Sequence, residues 1–255
     1  MNTRQLLAVV WEKSKLNLKS EAAVNYLSYL WWIMEPVLHM LVYYLVFDVL
    51  LQRGGPGFVF FLLAGLVPWL WFSKLLVQAS NSLVTGRFLM GQIFIPKLFF
   101  PLVVIVQCSV KQAIVFIVLL LVLVIAGHQP SIQWLAIVPI ALVQLMLMMP
   151  LAFIFAASVV FVRDLGFVIP TALQFVFFCS GIFFSIDHIA PQYTQWFYVN
   201  PMAGLVQQYR EVLLNNNWPD WFYTAKVAAV SIVLWILSIR FYRNNECTIT
   251  RFAQD

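Results

Sequence analysis

The sequence predicts an all-α membrane protein with six transmembrane helices, and three observations carry that expectation. Of 255 residues, 63% are hydrophobic and 10% charged, whereas soluble domains are roughly half apolar and about a quarter charged. Six apolar runs approach the ~20 residues that a helix needs to cross a ~30 Å hydrocarbon layer. The basic residues, finally, divide very unequally between the two sets of ends of those runs.

In chain order, residues 3–25 are mixed. Arg4, Glu12, Lys15 and Lys19 share one arc of a helical wheel, with Leu6, Val9, Val10 and Leu16 opposite, as in a helix lying in the membrane interface. Span 1 is expected over 29–51. Gln52-Arg53-Gly54-Gly55-Pro56-Gly57 then forces a turn, since paired glycines and a proline do not continue a helix. Span 2 is expected over 58–76 and span 3 over 98–126, up to Gly127-His128-Gln129-Pro130. Span 4 follows over 134–162, up to Arg163-Asp164, then span 5 over 167–184 and span 6 over 222–239. The first apolar run begins too late and runs too long for a cleaved leader, so it is a retained span. The chain is expected to be one transmembrane domain, 1–255: an interfacial helix over 1–28, spans 1–5 over 29–184, an external segment over 185–220, span 6 over 221–242 and a tail over 243–255.

Arg4, Lys13, Lys15, Lys19, Lys74, Arg87, Lys97, Arg163, Arg240, Arg243 and Arg251 fall on one side of the spans. Arg53, Arg210 and Lys226 fall on the other, and Lys111 lies within span 3. Loops rich in Lys and Arg stay inside, so both termini are expected in the cytoplasm and the segment after span 5 outside. The same bias accounts for the net charge of +5 without a nucleic-acid partner.

Between spans 2 and 3 the chain does more than turn. Ser80–Gln92 is polar and breakable, with Arg87 and a loose helical pattern of Leu83, Phe88 and Leu89. A dozen residues held at the inner membrane face form a docking element, which implies a soluble partner. On the outer side, Asn200 can cap and Pro201 can start a helix running to about Leu214 and ending at Asn215-Asn216-Asn217. At ~20 Å it is too short to span. With Leu205, Val206, Tyr209 and Leu213 on one side and Gln207, Arg210 and Glu211 on another, flanked by Trp196, Phe197, Trp218 and Trp221, it is expected to dip into the outer interface.

The chain has no GxxxxGK[ST] phosphate loop. His39, His128 and His188 are scattered, and Cys108, Cys179 and Cys247 suggest neither a metal site nor a disulfide framework. Cofactor binding and catalysis by this chain are therefore not expected. Charges inside spans are costly. Glu35 and Lys74 would lie at similar depth on the inner side, either as a structural pair or at the inner mouth of a pathway. Gln107 and Lys111 share a helical face that suits a subunit interface or a polar conduit. Aromatics such as Trp31, Trp32, Trp69 and Trp71 fit an interfacial belt, or line a passage in which sugar rings stack on them.

Together the motifs resemble the membrane subunit of ATP-binding-cassette exporters of bacterial surface polysaccharides (the ABC-2 type: O-antigen, capsule, teichoic acid). The pieces are Tyr26-Leu27-Ser28-Tyr29-Leu30-Trp31 with Glu35-Pro36; Leu63-Ala64-Gly65-Leu66-Val67-Pro68-Trp69 with Phe72-Ser73; and Ala79-Ser80-Asn81-Ser82. After them come Ile95-Pro96-Lys97 with Pro101, Arg163-Asp164, Asn200-Pro201 and Tyr209-Arg210. Where that family often has Ser-Pro-Ile late in span 5, this chain has Ser180-Gly181-Ile182, so a helix break there rests on Gly.

The resemblance implies a homodimer in the bacterial cytoplasmic membrane. Two copies of a separate ATPase, which uses ATP and Mg, would dock on it. Ser80, Asn81, Arg87, Phe88 and Gln92 would couple to that ATPase, beside the cytoplasmic turn at Arg163 and Asp164. Arg4, Lys13, Lys15, Lys19, Glu35 and Lys74 would receive the head group of a lipid-linked polysaccharide, most readily an O-antigen. Trp31, Trp69, Lys111, Phe175, Trp196, Tyr209 and Arg210 would belong to the channel or to short re-entrant gate helices between spans 5 and 6. An exporter of drugs or small lipids is the alternative within the wider family. A membrane-embedded glycosyltransferase needs a carboxylate or histidine constellation, and a secondary transporter needs internal repeats; neither feature is present in the sequence.

Overall fold

A computed structural model describes residues 3–24, 28–52, 54–92, 95–184, 192 and 197–254. Among these residues the protein is all-helical. Helix α1 (Thr3–Val24) precedes α2 (Ser28–Tyr44), which continues as a π-helical stretch over Leu45–Leu50. Next come α3 (Phe58–Ser80), α4 (Ser82–Thr85), α5 (Arg87–Gln92) and α6 (Phe99–Ile125). A short 3₁₀ turn (Ile132–Ala136) leads into α7 (Ile137–Phe161), then α8 (Leu165–Phe178), α9 (Pro201–Leu213) and α10 (Trp221–Gln254).

Five stretches are long and apolar enough to cross a membrane: Leu30–Leu50, Phe58–Ser80, Phe99–Ile125, Ile132–Phe161 and Trp221–Tyr242. The expected fifth span is shorter than its 167–184 reading. Helix α8 has 14 residues, ~21 Å at 1.5 Å per residue, and stops where Gly181 takes φ +66°. That left-handed conformation suits glycine, and a Cβ at Gly181 would lie 2.6 Å from the Phe197 ring. The expected tail behind span 6 is not a separate coil: α10 runs unbroken for 34 residues.

Helix α3 is the centre of the bundle, packed on α2, α6, α7, α8 and α9. Leu62, Ala64, Leu66, Leu75, Leu76 and Ala79 along it are fully buried. Two buried glutamines pin its neighbours to its backbone. Gln112 of α6 donates to the Val67 carbonyl at 3.1 Å, and Gln144 of α7 to the Pro68 carbonyl at 2.8 Å. The Tyr209 hydroxyl of α9 donates in turn to Gln144 Oε1 at 2.9 Å, while its ring stacks on Phe116. Interhelical bonds of this kind are individually worth about 0.6 kcal/mol in membrane proteins, and here three of them join four helices.

Helix α1 does not present the apolar face expected for it. Its buried side is Val10 and Ser14, with Leu6 and Leu18 packed against the core, whereas Val9 and Leu16 are exposed. Ser14 Oγ donates to Val10 O at 2.7 Å and reaches Val103 O of α6 at 3.3 Å. The helix is therefore docked along α6, with the arc of Arg4, Glu12, Lys15 and Lys19 turned outward.

The outer helix α9 begins as the sequence requires. Asn200 Oδ1 accepts from the Met202 N–H at 3.0 Å, Pro201 follows at the first helical position, and Asn200 Nδ2 donates to Ser180 Oγ at 2.8 Å. Past its end, Asn216 Oδ1 accepts from the Ser131 hydroxyl at 2.7 Å and Trp134 Nε1 at 3.0 Å. Leu205, Val206, Tyr209 and Leu213 are buried as expected, but Arg210 leaves its expected polar face and is only 4% exposed. Its Nη1 donates to Gly181 O at 2.7 Å, Nη2 to Ile182 O at 2.8 Å and Nε to Phe61 O at 3.2 Å. The guanidinium lies 3.5 Å over the Phe61 ring. A side chain at Gly65 would meet Nη2 at 2.7 Å, so the small residue at Gly65 admits the fork. Among the described residues no carboxylate pairs with Arg210; it holds backbone carbonyls left free where α8 breaks.

Arg210→Met leaves those carbonyls without a donor, and a buried unsatisfied group costs roughly 1–3 kcal/mol. At this chain length each kcal/mol moves a melting temperature by about 2–4 °C. The variant is expected to melt several degrees lower in detergent, with Arg210→Lys recovering only part of the loss. An unchanged melting temperature would show that the end of α8 holds without the guanidinium.

Candidate functional site

Two cavities lie beside α3. The larger, about 390 Å³, is enclosed by α1, α2, α3 and α6 and lined by Glu21, Trp31, Trp32, Glu35, Trp71, Lys74, Gln78, Cys108, Lys111 and Gln112 among others. Two ion pairs cross it. Lys74 of α3 bonds Glu35 of α2. Lys111 of α6 grips both carboxylate oxygens of Glu21 at the end of α1, at 2.6 and 2.7 Å. Trp32 Nε1 also donates to Glu21 Oε1 at 3.4 Å, and the Lys111 ammonium sits 5.2 Å from the Trp32 ring centroid. Cys108 Sγ bonds Gln78 Oε1 at 3.4 Å. Two lysines face two glutamates, so the lining is electrically balanced.

The second cavity, about 240 Å³, lies between α2, α3 and α8. Its lining includes His39, Tyr43, Trp69, Ser73, Gln174 and Phe177, and again Glu35 and Lys74. The Glu35–Lys74 pair therefore forms a wall shared by both spaces. His39 Nδ1 lies 2.9 Å from Glu35 O, and Tyr43 packs on Phe177 and Phe183, which fixes the far side.

At the α4–α5 end of the bundle, α3 ends with Ser80 bonded to Val77 O at 2.8 Å and Asn81 Nδ2 to the same carbonyl at 3.2 Å. Ser80 and Leu83 are fully buried, and Leu89 and Met90 pack against the core. Phe88 does not share the face of Leu83 and Leu89: it is 76% exposed. Arg87, Phe88, Gly91 and Gln92 line an open groove of about 370 Å³. The segment is thus anchored from within and presents one large aromatic outward. Arg163 and Asp164, in the turn before α8, are exposed.

The sites proposed from sequence separate as follows. Glu35, Lys74, Lys111 and Trp31 converge on the larger cavity. Trp69, Tyr209 and Arg210 lie inside the single chain, at 3%, 0% and 4% exposure, and Phe175 points out of it at 72%. Of Arg4, Lys13, Lys15 and Lys19, none lines either cavity. Trp196 and the segment around His188 lie outside the described residues. Sequence reasoning missed Glu21 and Gln78. Glu21 follows Val10 and Ser14 at helical spacing, and Gln78 follows Lys74 by one turn, but neither is striking without knowing which faces meet.

Residues 5–214 match the protein family described as ABC-2 type transporter, and the chain belongs to that family. It is thus a multi-pass membrane permease rather than an enzyme, and membership implies a partner ATPase. Among curated proteins it is similar to the O-antigen export system permease protein RfbA of Myxococcus xanthus, 30% identical over 90% of this chain and 89% of that protein. The protein of the same name from Klebsiella pneumoniae is 26% identical over 83% of this chain and 81% of its own length. The polysialic acid transport protein KpsM of Escherichia coli is 25% identical over 86% of both chains.

The shared wall can be tested directly. The Glu35 and Lys74 side chains are 40% and 35% exposed, and pairs with that much access to solvent are worth at most about 1 kcal/mol. In a double-mutant cycle, Glu35→Gln and Lys74→Met should each destabilise more than the double variant, with a coupling of up to about 1 kcal/mol. A coupling of zero would mean that the two side chains do not hold each other.

Proposed function

We propose that this chain is the transmembrane subunit of an ATP-driven exporter that moves a lipid-linked polysaccharide across the bacterial cytoplasmic membrane. O-antigen is the preferred cargo and capsular polysaccharide or teichoic acid the alternative. The observation that carries the reading is the α4–α5 segment: a surface built to bind a soluble partner, on a chain with no phosphate loop of its own, in a family that works with an ATPase. ATP and Mg are used by that partner. The names of the relatives support a polysaccharide cargo, and the O-antigen permease of Myxococcus xanthus, at 30% identity against 25% for the polysialic acid protein, favours O-antigen.

In this reading α8 serves as a short fifth span, bringing the total to six, and both termini and α5 face the cytoplasm, as the distribution of Lys and Arg supports. Helix α9 and the segment before it form the outer gate. Two copies of the chain assemble with two ATPase subunits. The second cavity supports the homodimer. It sets His39, Ser73, Gln174 and an ion pair between helices whose other residues include exposed Leu38, Leu41, Phe167 and Phe175. Polar groups at membrane depth need protein or water against them rather than acyl chains, and a second copy over α2 and α8 would provide that cover. The outward-turned basic arc of α1 suits anionic head groups gathering at the inner surface.

The complete exporter in proteoliposomes tests this. ATP-dependent transport of a lipid-linked polysaccharide is expected only when the ATPase is present. Phe88→Ala, at a position too exposed to matter for folding, should weaken ATPase binding about tenfold or more if Phe88 anchors the interface. Transport by the permease alone would overturn the proposal, and unchanged ATPase affinity in Phe88→Ala would remove α5 as the docking element.

A further inference from the structure

The larger cavity has no role in the docking or gating just described, and its chemistry is selective. Its volume of about 390 Å³ lies at the lower end of the ~300–1,000 Å³ typical of small-ligand sites. An anionic ligand would find no uncommitted cation there, because Lys74 and Lys111 are already held by Glu35 and Glu21. A lipid chain would have to cover two ion pairs and the polar heads of Gln78 and Gln112. What the lining offers is flat aromatic surface beside fixed hydrogen-bonding groups. Trp31 stands at 55% exposure, and Trp32 and Trp71 are nearly buried. The Trp71 indole N–H is a buried donor with no acceptor among the described residues, and buried donors ordinarily have one.

We propose that this cavity, between α1, α2, α3 and α6, is a binding site for one or two uncharged sugar units. The C–H face of a sugar ring packs on a tryptophan, while its hydroxyls reach carboxylates and ammonium groups whose charges cancel. Glu35 and Lys74 then contact the sugar on one side and the second cavity on the other, which places the site next to the surface proposed for the second copy. The ligand class rests on the export reading; the geometry and charge balance of the site do not.

The experiment uses the purified full-length permease in lipid nanodiscs, without ATPase, and saturation-transfer NMR. The probes are neutral disaccharides of gluco, galacto, manno and N-acetylglucosamino configuration, with inorganic diphosphate as competitor. Saturable binding of at least one disaccharide, undiminished by diphosphate, is expected. Trp31→Ala, at the exposed mouth, and Trp71→Phe, which thins the aromatic wall, should each raise the Kd by about tenfold, the equivalent of one good contact. Trp221→Phe, far along the chain and outside the cavity, should leave it unchanged. Trp31→Ala keeps the test valid if Trp71→Phe fails to fold. Absence of disaccharide binding, binding that diphosphate displaces, or binding indifferent to both variants would overturn the site. Because no ATPase is present, that result would leave ATP-driven export standing, whereas loss of export with sugar binding intact would overturn only the export reading.

Discussion

A guanidinium that bonds backbone carbonyls, with no carboxylate partner among the described residues, organises one end of this protein. Backbone carbonyls released inside a bilayer must find donors, and the early end of α8 releases two of them, at Gly181 and Ile182. Arg210 supplies both bonds from one planar fork, a geometry that a lysine cannot reproduce, and adds a third to Phe61. That single side chain ties the end of α8 to α9 and to the start of α3. Gly65 gives it room, Gly181 gives the turn, and Asn200 closes the ring through Ser180. The short α8, the buried α9 and its tight approach to α3 are therefore one arrangement.

The cavity between α1, α2, α3 and α6 is built on a different economy of charge. Four ionisable groups share one polar space, yet each cation is matched. Removing one member of such a pair leaves the other exposed to a poor dielectric, which is more harmful than losing both. The result is a space that stays polar without carrying a field. The outward-turned arc of α1 differs: Arg4, Lys15 and Lys19 are exposed there and share it with Glu12 alone.

Much of this was legible in the sequence. The spans, the capped start of α9 at Asn200-Pro201 and its end at Asn215–Asn217 follow from apolar length and from residues whose backbone preferences are strong. The Glu35–Lys74 pair was readable from matching depths. Other features depend on which helix faces which, and periodicity cannot supply that. Helix α1 carries apolar residues on more than one side, so the stripe that meets α6 was not distinguishable from the one bearing Val9 and Leu16. Glu21 drew no role within the expected interfacial helix because its partner lies 90 residues away. Arg210 looked like a solvent-facing residue because helical spacing groups it with Gln207 and Glu211, whereas the carbonyls that capture it arise only once α8 has broken. Phe88 looked like an anchor by apolarity and is instead the exposed face.

Helix α10 touches α5 at one end and α9 at the other, with Tyr223 bonded to Pro201 O at 3.4 Å and Tyr242 to Phe153 O of α7 at 3.1 Å. At 34 residues without a break it is a rod of ~51 Å. One continuous backbone therefore carries the contacts to both α5 and α9, so the positions of those two short helices are set against a common axis.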